Sequence, residues 1–239
     1  MTTTDIFYSD TWFDPFFERL DENKKTKWRS SFERGQMFWS YVFYSYEDLE
    51  LWRPKELDST RTTALSFCKV SAGGDAFQRS TPLVNPSLET AEEFIVIKAK
   101  KRPVILLCPP LREITATERI RYGEKINKHL TLVIPLYSIQ DKITEQLKYP
   151  PDFIEGVRLL KWPQFFFIPS YSQCGIRDSI ASLDSLMAIP KNHLEPLPIK
   201  VAGEALDCPL DYLLDQINFF LTEKGGEKFL ALREQLIKQ

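Results

Sequence analysis

KAKKRPVILLCPP, residues 98–110, brings three lysines and an arginine into an apolar run that stops at two prolines. Val104 to Leu107 reads as a buried strand, and Pro109-Pro110 ends it because proline gives a ladder no N–H. Arg102 stands at the mouth of that strand. Two readings of it remain open: a solvated strand end, or a guanidinium held to meet a negatively charged group.

Working outward, EEFIVI precedes the basic turn as a second strand-like run, and KHLTLVIPLYSI follows as a third. Upstream, GQMFWSYVFYSY is too dense in aromatic and β-branched residues for a solvated helix and reads as a strand. Downstream, GVRLLKWPQFFFIPSY and DSIASLDSLMAIP add two strand candidates. The expected strands are therefore Gly35 to Tyr44, Phe94 to Leu107, Leu130 to Tyr137 and Gln164 to Ile168. Short strands at close intervals predict a small barrel or sandwich, mainly β with helices (α+β).

The ends differ in character. Trp12, Phe13, Phe16, Phe17 and Leu20 recur at helical spacing behind Asp10 or Thr11 as a cap, predicting a helical extension over 1–31 that closes with a charged connection. Between 46 and 92, Pro54, Pro82, Pro86 and Gly73-Gly74 break the pattern, predicting an insertion in the form of a long, partly ordered loop. Leu210, Leu213, Leu214, Ile217, Phe220 and Leu221 line one helical face, with Asp207 as a cap and Gly225-Gly226 as a stop. That helix completes a domain over 32–222, and EKFLALREQLIKQ makes a final helix within 223–239.

Composition narrows the classes. The chain has 239 residues, 43% of them hydrophobic, and a net charge of -2, so it can bury a core and its overall charge names no partner. Cys68, Cys108, Cys174 and Cys208 stand far apart with no CxxC pair, and His129 and His193 are the only histidines. No metal site, cofactor or disulfide framework is expected, and a reducing cytoplasm fits. With no apolar run long enough to span a bilayer, a soluble protein without membrane contact is expected. Gly-rich phosphate loops, GxSxG and HExxH are missing.

Charge is nonetheless uneven. From Lys98 to His129 nine Lys/Arg face three acids, a local 9 − 3 = +6 that suits a phosphate backbone. His129 lacks an identified acid-base partner, His193 is weaker still, Cys108 reads as a small buried hydrophobe, and Phe165 to Phe167 read as packing.

The order of segments, RGQMFW, then KRPVILL, then LVIPLYS, then DSIASLDSLMAIPKNHL and a helix, resembles the PemK/MazF (Kid) toxin superfamily of toxin-antitoxin systems. The resemblance spans about Phe32 to Leu221, interrupted by the insertion. It implies an SH3-like small barrel, a homodimer neutralised by a small antitoxin protein, and metal-independent cleavage of single-stranded RNA. It also implies that Arg102 stabilises charge on the scissile phosphate, with Tyr137 or its neighbour Ser138 at the hydroxyl position of the third strand. Lys100, Lys101, Arg119 and Arg121 are the expected RNA-binding cations. The sequence departs from the pattern at Tyr137, where a small hydroxyl residue is usual, at Ser185 in place of glutamine, and at Met187 in place of a basic residue. Those departures keep a catalytically degenerate binding or regulatory module in view. VIPL is also similar to the CcdB branch, whose members poison DNA gyrase through a C-terminal helix.

Overall fold

The structure, a computed structural model, describes residues 15–30, 32–43, 50–58, 63–71, 94–109, 117, 130–203 and 208–238. In chain order these form β1 (Phe17–Arg19), α1 (Lys25–Ser30), β2 (Gln36–Phe43), β3 (Glu50–Asp58), β4 (Thr63–Ser71), β5 (Phe94–Val96), β6 (Ala99–Cys108) and β7 (Leu130–Ser138). There follow α2 (Pro151–Arg158), β8 (Phe165–Ile168), β9 (Ser179–Ser182), β10 (Met187–Pro190), β11 (Glu195–Val201), α3 (Pro209–Thr222) and α4 (Glu227–Ile237). Two compact units divide the chain, Met1–Tyr41 with Lys101–Gln239, and Val42–Lys100.

The larger unit is built on an antiparallel sheet of eight strands in the order β1-β11-β2-β6-β7-β9-β8, with β10 also on β7. Among the described residues the end strands β1 and β8 do not pair, so the sheet is open. The class is therefore α+β, as the residues predict. β2, β6, β7 and β8 fall where apolar, β-branched and aromatic residues are densest, with Met37, Ile105, Ile134 and Phe166 fully buried. DSIASLDSLMAIP is two strands rather than one, because a 3-10 turn over Leu183–Ser185 separates β9 from β10.

Three expectations need correction. Phe17–Arg19, the described part of the expected N-terminal helix, is a strand paired with Val201, Lys200 and Ile199 of β11. Pro15 stands just before it, and Phe16 and Phe17 enter an aromatic cluster with Phe166 and Tyr171, so around Phe17 tertiary pairing overrides the helical spacing. Trp12, Phe13 and their caps Asp10 and Thr11 lie outside the described residues. The charged connection behind them carries α1, whose Trp28 is buried and donates its indole N–H to the Asp21 carbonyl at 3.2 Å.

The insertion also differs from a loop. In the smaller unit β3 and β4 form an antiparallel hairpin and β5 pairs with the other edge of β3. Pro54 is accommodated by a register shift between Pro54 and Glu56, the bulge by which a strand tolerates a missing N–H. Gly73-Gly74, Pro82 and Pro86 lie outside the described residues.

The third correction lies in GVRLLKWPQFFFIPSY, whose first three residues complete α2. Pro151 opens that helix at a position where its missing N–H costs nothing, and Asp152 suits the first turn. A side chain at Gly156 would place its Cβ 2.7 Å from the Trp162 indole nitrogen, so glycine permits the return toward β8. β11, EPLPIKV, escapes a sequence reading because Pro196 and Pro198 argue against a strand. Its ladder to β2 is irregular between Pro196 and Lys200, which is where Pro198 sits.

α3 and α4 appear where their apolar faces predict them. Phe229, Leu232 and Leu236 are buried, and the Phe229 ring lies 5.5 Å from that of Phe219. Gly226 adopts a left-handed φ of 80°, and a Cβ there would stand 2.6 Å from Cβ of Phe219, so this corner requires glycine. Asp207 lies outside the described residues, and Cys208 holds the cap position without a side-chain hydrogen bond. Burial raises the Cys208 thiol pKa above its ordinary value, in keeping with an inert core thiol.

Gln216 of α3 is fully buried and fixes the helix to the chain entering β8: its Nε2 donates to the carbonyls of Pro163 at 2.9 Å and Phe165 at 2.8 Å. Gln216→Leu leaves those two carbonyls without their donor. Urea denaturation is expected to show a loss of about 1–3 kcal/mol with an unchanged m value. A loss below about 0.5 kcal/mol would mean that the amide is not what holds α3.

Candidate functional site

The ladder between β6 and β7 pairs Val104 with Pro135 and Ile105 with Ile134. Continuing that register toward the start of β6 brings Arg102 opposite Tyr137. The guanidinium carbon lies 4.6 Å from the centre of the Tyr137 ring, within the range of a cation–π contact, and both residues are half-buried. Guanidinium donors lie in the plane of the group, so contact through its face leaves the geometry that grips phosphate oxygens in the plane.

Ser138 is placed differently. Its hydroxyl accepts a 2.7 Å hydrogen bond from Lys148 Nζ and donates at 3.1 Å to the Gln140 carbonyl. Alternation along β7 turns Ser138 away from the face that Tyr137 presents. Of the two hydroxyls at the end of the third strand, the phenol is the one beside Arg102.

Of the expected RNA-binding cations, Lys100 and Lys101 lie within the described residues. Lys101, the residue before Arg102, projects to the opposite face of β6, pairs with Glu195 at 2.5 Å and approaches the Trp39 ring at 6.0 Å. Lys100 is exposed and stands at the end of the smaller unit. Arg119, Arg121 and His129 lie outside the described residues. His193 is exposed in a 3-10 turn, where its carbonyl accepts the Ser40 hydroxyl at 3.1 Å.

A group that sequence reasoning passed over lies at the end of β9. The Ser182 hydroxyl donates to Asp184 Oδ1 at 2.5 Å, Ser185 donates to the same oxygen at 3.2 Å, and the two hydroxyls are 3.3 Å apart. β9 pairs Ala181 with Leu136 and Ile180 with Tyr137, so the register sets Ser182 opposite Pro135, on the face of the sheet that Tyr137 presents. The signal was present in SLDS, whose spacing lets a 3-10 turn fold two hydroxyls onto one carboxylate.

β7 leads into a hydrogen-bonded loop. Asp141 N donates to the Gln146 carbonyl, Lys148 N donates to the Ile139 carbonyl, and Asp141 Oδ1 accepts the amides of Ile143 at 2.9 Å and Thr144 at 3.1 Å. The Ile143 amide, then the Thr144 amide, hold the Asp141 carboxyl below the usual carboxylate range, with the Lys148 charge adding to them. Among the described residues no cluster of His, Cys, Asp or Glu is arranged to hold a metal ion, and no helix is long and apolar enough to cross a membrane.

No family model, curated protein or solved structure matches this chain.

The loop should titrate with Asp141. Its folded pKa lies below the unfolded one, so its contribution is present above the ordinary aspartate value of about 3.9 and is lost as pH falls through the depressed folded value. The protection of the Ile143 and Thr144 amides, taken as their exchange rate relative to an unfolded peptide at the same pH, is expected to hold at neutral pH and to fall as pH drops below the ordinary aspartate value of about 3.9. Asp141→Ala should remove that protection at every pH. Protection that survives this substitution would show that the loop does not depend on the carboxylate.

Proposed function

We propose that this chain is an endoribonuclease-like protein related to the PemK/MazF toxins, in which Arg102 and Tyr137 meet the scissile phosphate of single-stranded RNA. The observation that carries this reading is the 4.6 Å stacking of Arg102 on Tyr137, because the motif resemblance singled out those two positions independently of any geometry. In this reading the 2'-hydroxyl releases its proton to solvent as its oxygen bonds to phosphorus and the bond to the 5'-oxygen breaks. Arg102 holds the non-bridging oxygens as their charge grows, and the Tyr137 phenol gives a proton to the departing oxygen and is reprotonated by solvent once the step is over. In this reading the open sheet is a splayed form of the SH3-like barrel, with β9 and β10 sharing one edge of β7. A homodimer and a small antitoxin partner belong to the same proposal.

Ser138 favours a second reading. With the Ser138 hydroxyl held by Lys148 and the Gln140 carbonyl, the third strand ends in a phenol rather than a small hydroxyl on the face of Arg102, as a binding module that has lost cleavage would have it. A gyrase-directed role draws less support, since α4 spends Phe229, Leu232 and Leu236 on its own core.

The test uses the full-length protein, a panel of single-stranded RNAs and chelator in the buffer. Wild type is expected to cleave at least one RNA, and Arg102→Ala to slow cleavage about a hundredfold to a thousandfold. Tyr137→Phe should cost less than Arg102→Ala, and Lys101→Ala, already committed to Glu195, should change the rate little. RNA binding without cleavage anywhere in the panel would favour the binding module. Neither binding nor cleavage would leave Arg102 as a strand end stacked on a tyrosine.

A further inference from the structure

A second site stands apart from the Arg102–Tyr137 pair. Between the loop that follows β7, helix α2 and the chain entering β9 lies a cavity of about 290 Å³, with Ile139, Leu147, Pro151 and Ile154 as its apolar lining and Glu155, Arg158 and Asp178 as its charged groups. Arg158 is only 5% exposed. Its guanidinium lies 4.6 Å from the centre of the Phe167 ring, its Nε is buried without a hydrogen-bond partner, and no described carboxylate forms an ion pair with it. A buried charge in this condition is costly unless something completes it, and a ring face satisfies the plane of a guanidinium but none of its in-plane N–H donors.

The remaining charges limit what that something is. Asp178 spends one oxygen on the Ser170 amide at 2.7 Å, and among the described residues the Glu155 carboxylate has no hydrogen-bond partner. One guanidinium and two carboxylates leave the lining one negative charge, which opposes a phosphate dianion. No aromatic face is free to stack on a base, since Arg158 occupies Phe167. The volume lies at the lower edge of ligand cavities, about 300–1,000 Å³, and suits a molecule smaller than a nucleotide.

We infer that this cavity binds a free α-amino acid with a branched apolar side chain. Its carboxylate takes the in-plane donors of Arg158, its ammonium takes Glu155 and the open oxygen of Asp178, and its side chain lies among Ile139, Leu147 and Ile154. Such a ligand brings one positive charge to be shared by the two carboxylates and one negative charge to the guanidinium, so each sign in the lining meets its opposite. Leu147 is 49% exposed and stands at the rim, so the cavity has an entry that requires no opening of the core.

The experiment is calorimetric titration of the full-length protein with L-leucine and with three probes that each lack a feature: 4-methylpentanoate without the ammonium, 3-methylbutylamine without the carboxylate, and inorganic phosphate. L-leucine is expected to saturate the site, each truncated probe to bind at least about tenfold more weakly, as loss of a charge-assisted contact requires, and phosphate not to bind. Arg158→Gln should abolish leucine binding. Because that side chain is buried and its replacement can disturb folding, Leu147→Glu supplies a second arm: it adds a charge at the rim without touching the core and should weaken leucine at least about tenfold. Failure of leucine to bind, equal affinity for 4-methylpentanoate, or unchanged binding by a folded Leu147→Glu protein would each overturn the inference. None of these results depends on RNA cleavage, so the cavity and the Arg102–Tyr137 site stand or fall separately.

Discussion

Strand β7 is hydrogen-bonded along both edges, and one of those edges is divided between two partners. β6 occupies one side, while Leu130 to Val133 pair with β10 and Leu136 to Ser138 pair with β9 on the other. A strand committed in this way cannot slip by one residue without breaking three ladders and exchanging the side chains of its two faces. Val133, Ile134 and Leu136 are accordingly buried. The register that results also sets Tyr137 rather than Ser138 against Arg102.

From that strand the two candidate sites diverge. Tyr137 faces Arg102 within the sheet, whereas Ile139, immediately beyond the strand, lines the cavity beside α2. Both sites rest on an arginine stacked on an aromatic ring at 4.6 Å, yet the surroundings differ. Arg102 sits at a half-buried strand end, and Arg158 lies within the core beside two carboxylates. Under the proposals made above, the first would meet a large polyanion from outside and the second a small molecule in a cavity.

Much of the sheet was legible because its residues announce it. β2, β6, β7 and β8 are runs of aromatic and branched side chains, and α3 and α4 carry apolar faces ended by Gly225-Gly226. Illegible were the elements in which a local signal loses to a distant partner. Pro196 and Pro198 argue against β11, yet a bulge and two neighbouring strands accommodate them, and the aromatics around Phe17 imitate a helix until β11 claims the backbone. Pro54 likewise hides β3. The Arg102–Tyr137 pair was legible only through motif order, since nothing in RPV or PLYS states that they touch. Arg158 was not legible at all, because GVRLLKW does not reveal that its arginine is buried or that Asp178 shares its cavity.

The pairing of β1 with β11 has a consequence for how the molecule assembles. Phe17 meets Val201, so this edge joins nearly opposite ends of the chain, while β3 and β4 meet across a short connection. Loop-closure entropy makes the hairpin early and the edge late, and mean sequence separation of this kind slows folding. During synthesis the aromatic N-terminal segment emerges long before its partner strand exists. Until β11 leaves the ribosome, Phe16 and Phe17 are sticky surface, so the nascent chain is most exposed to aggregation over the interval in which its own first strand waits for its last.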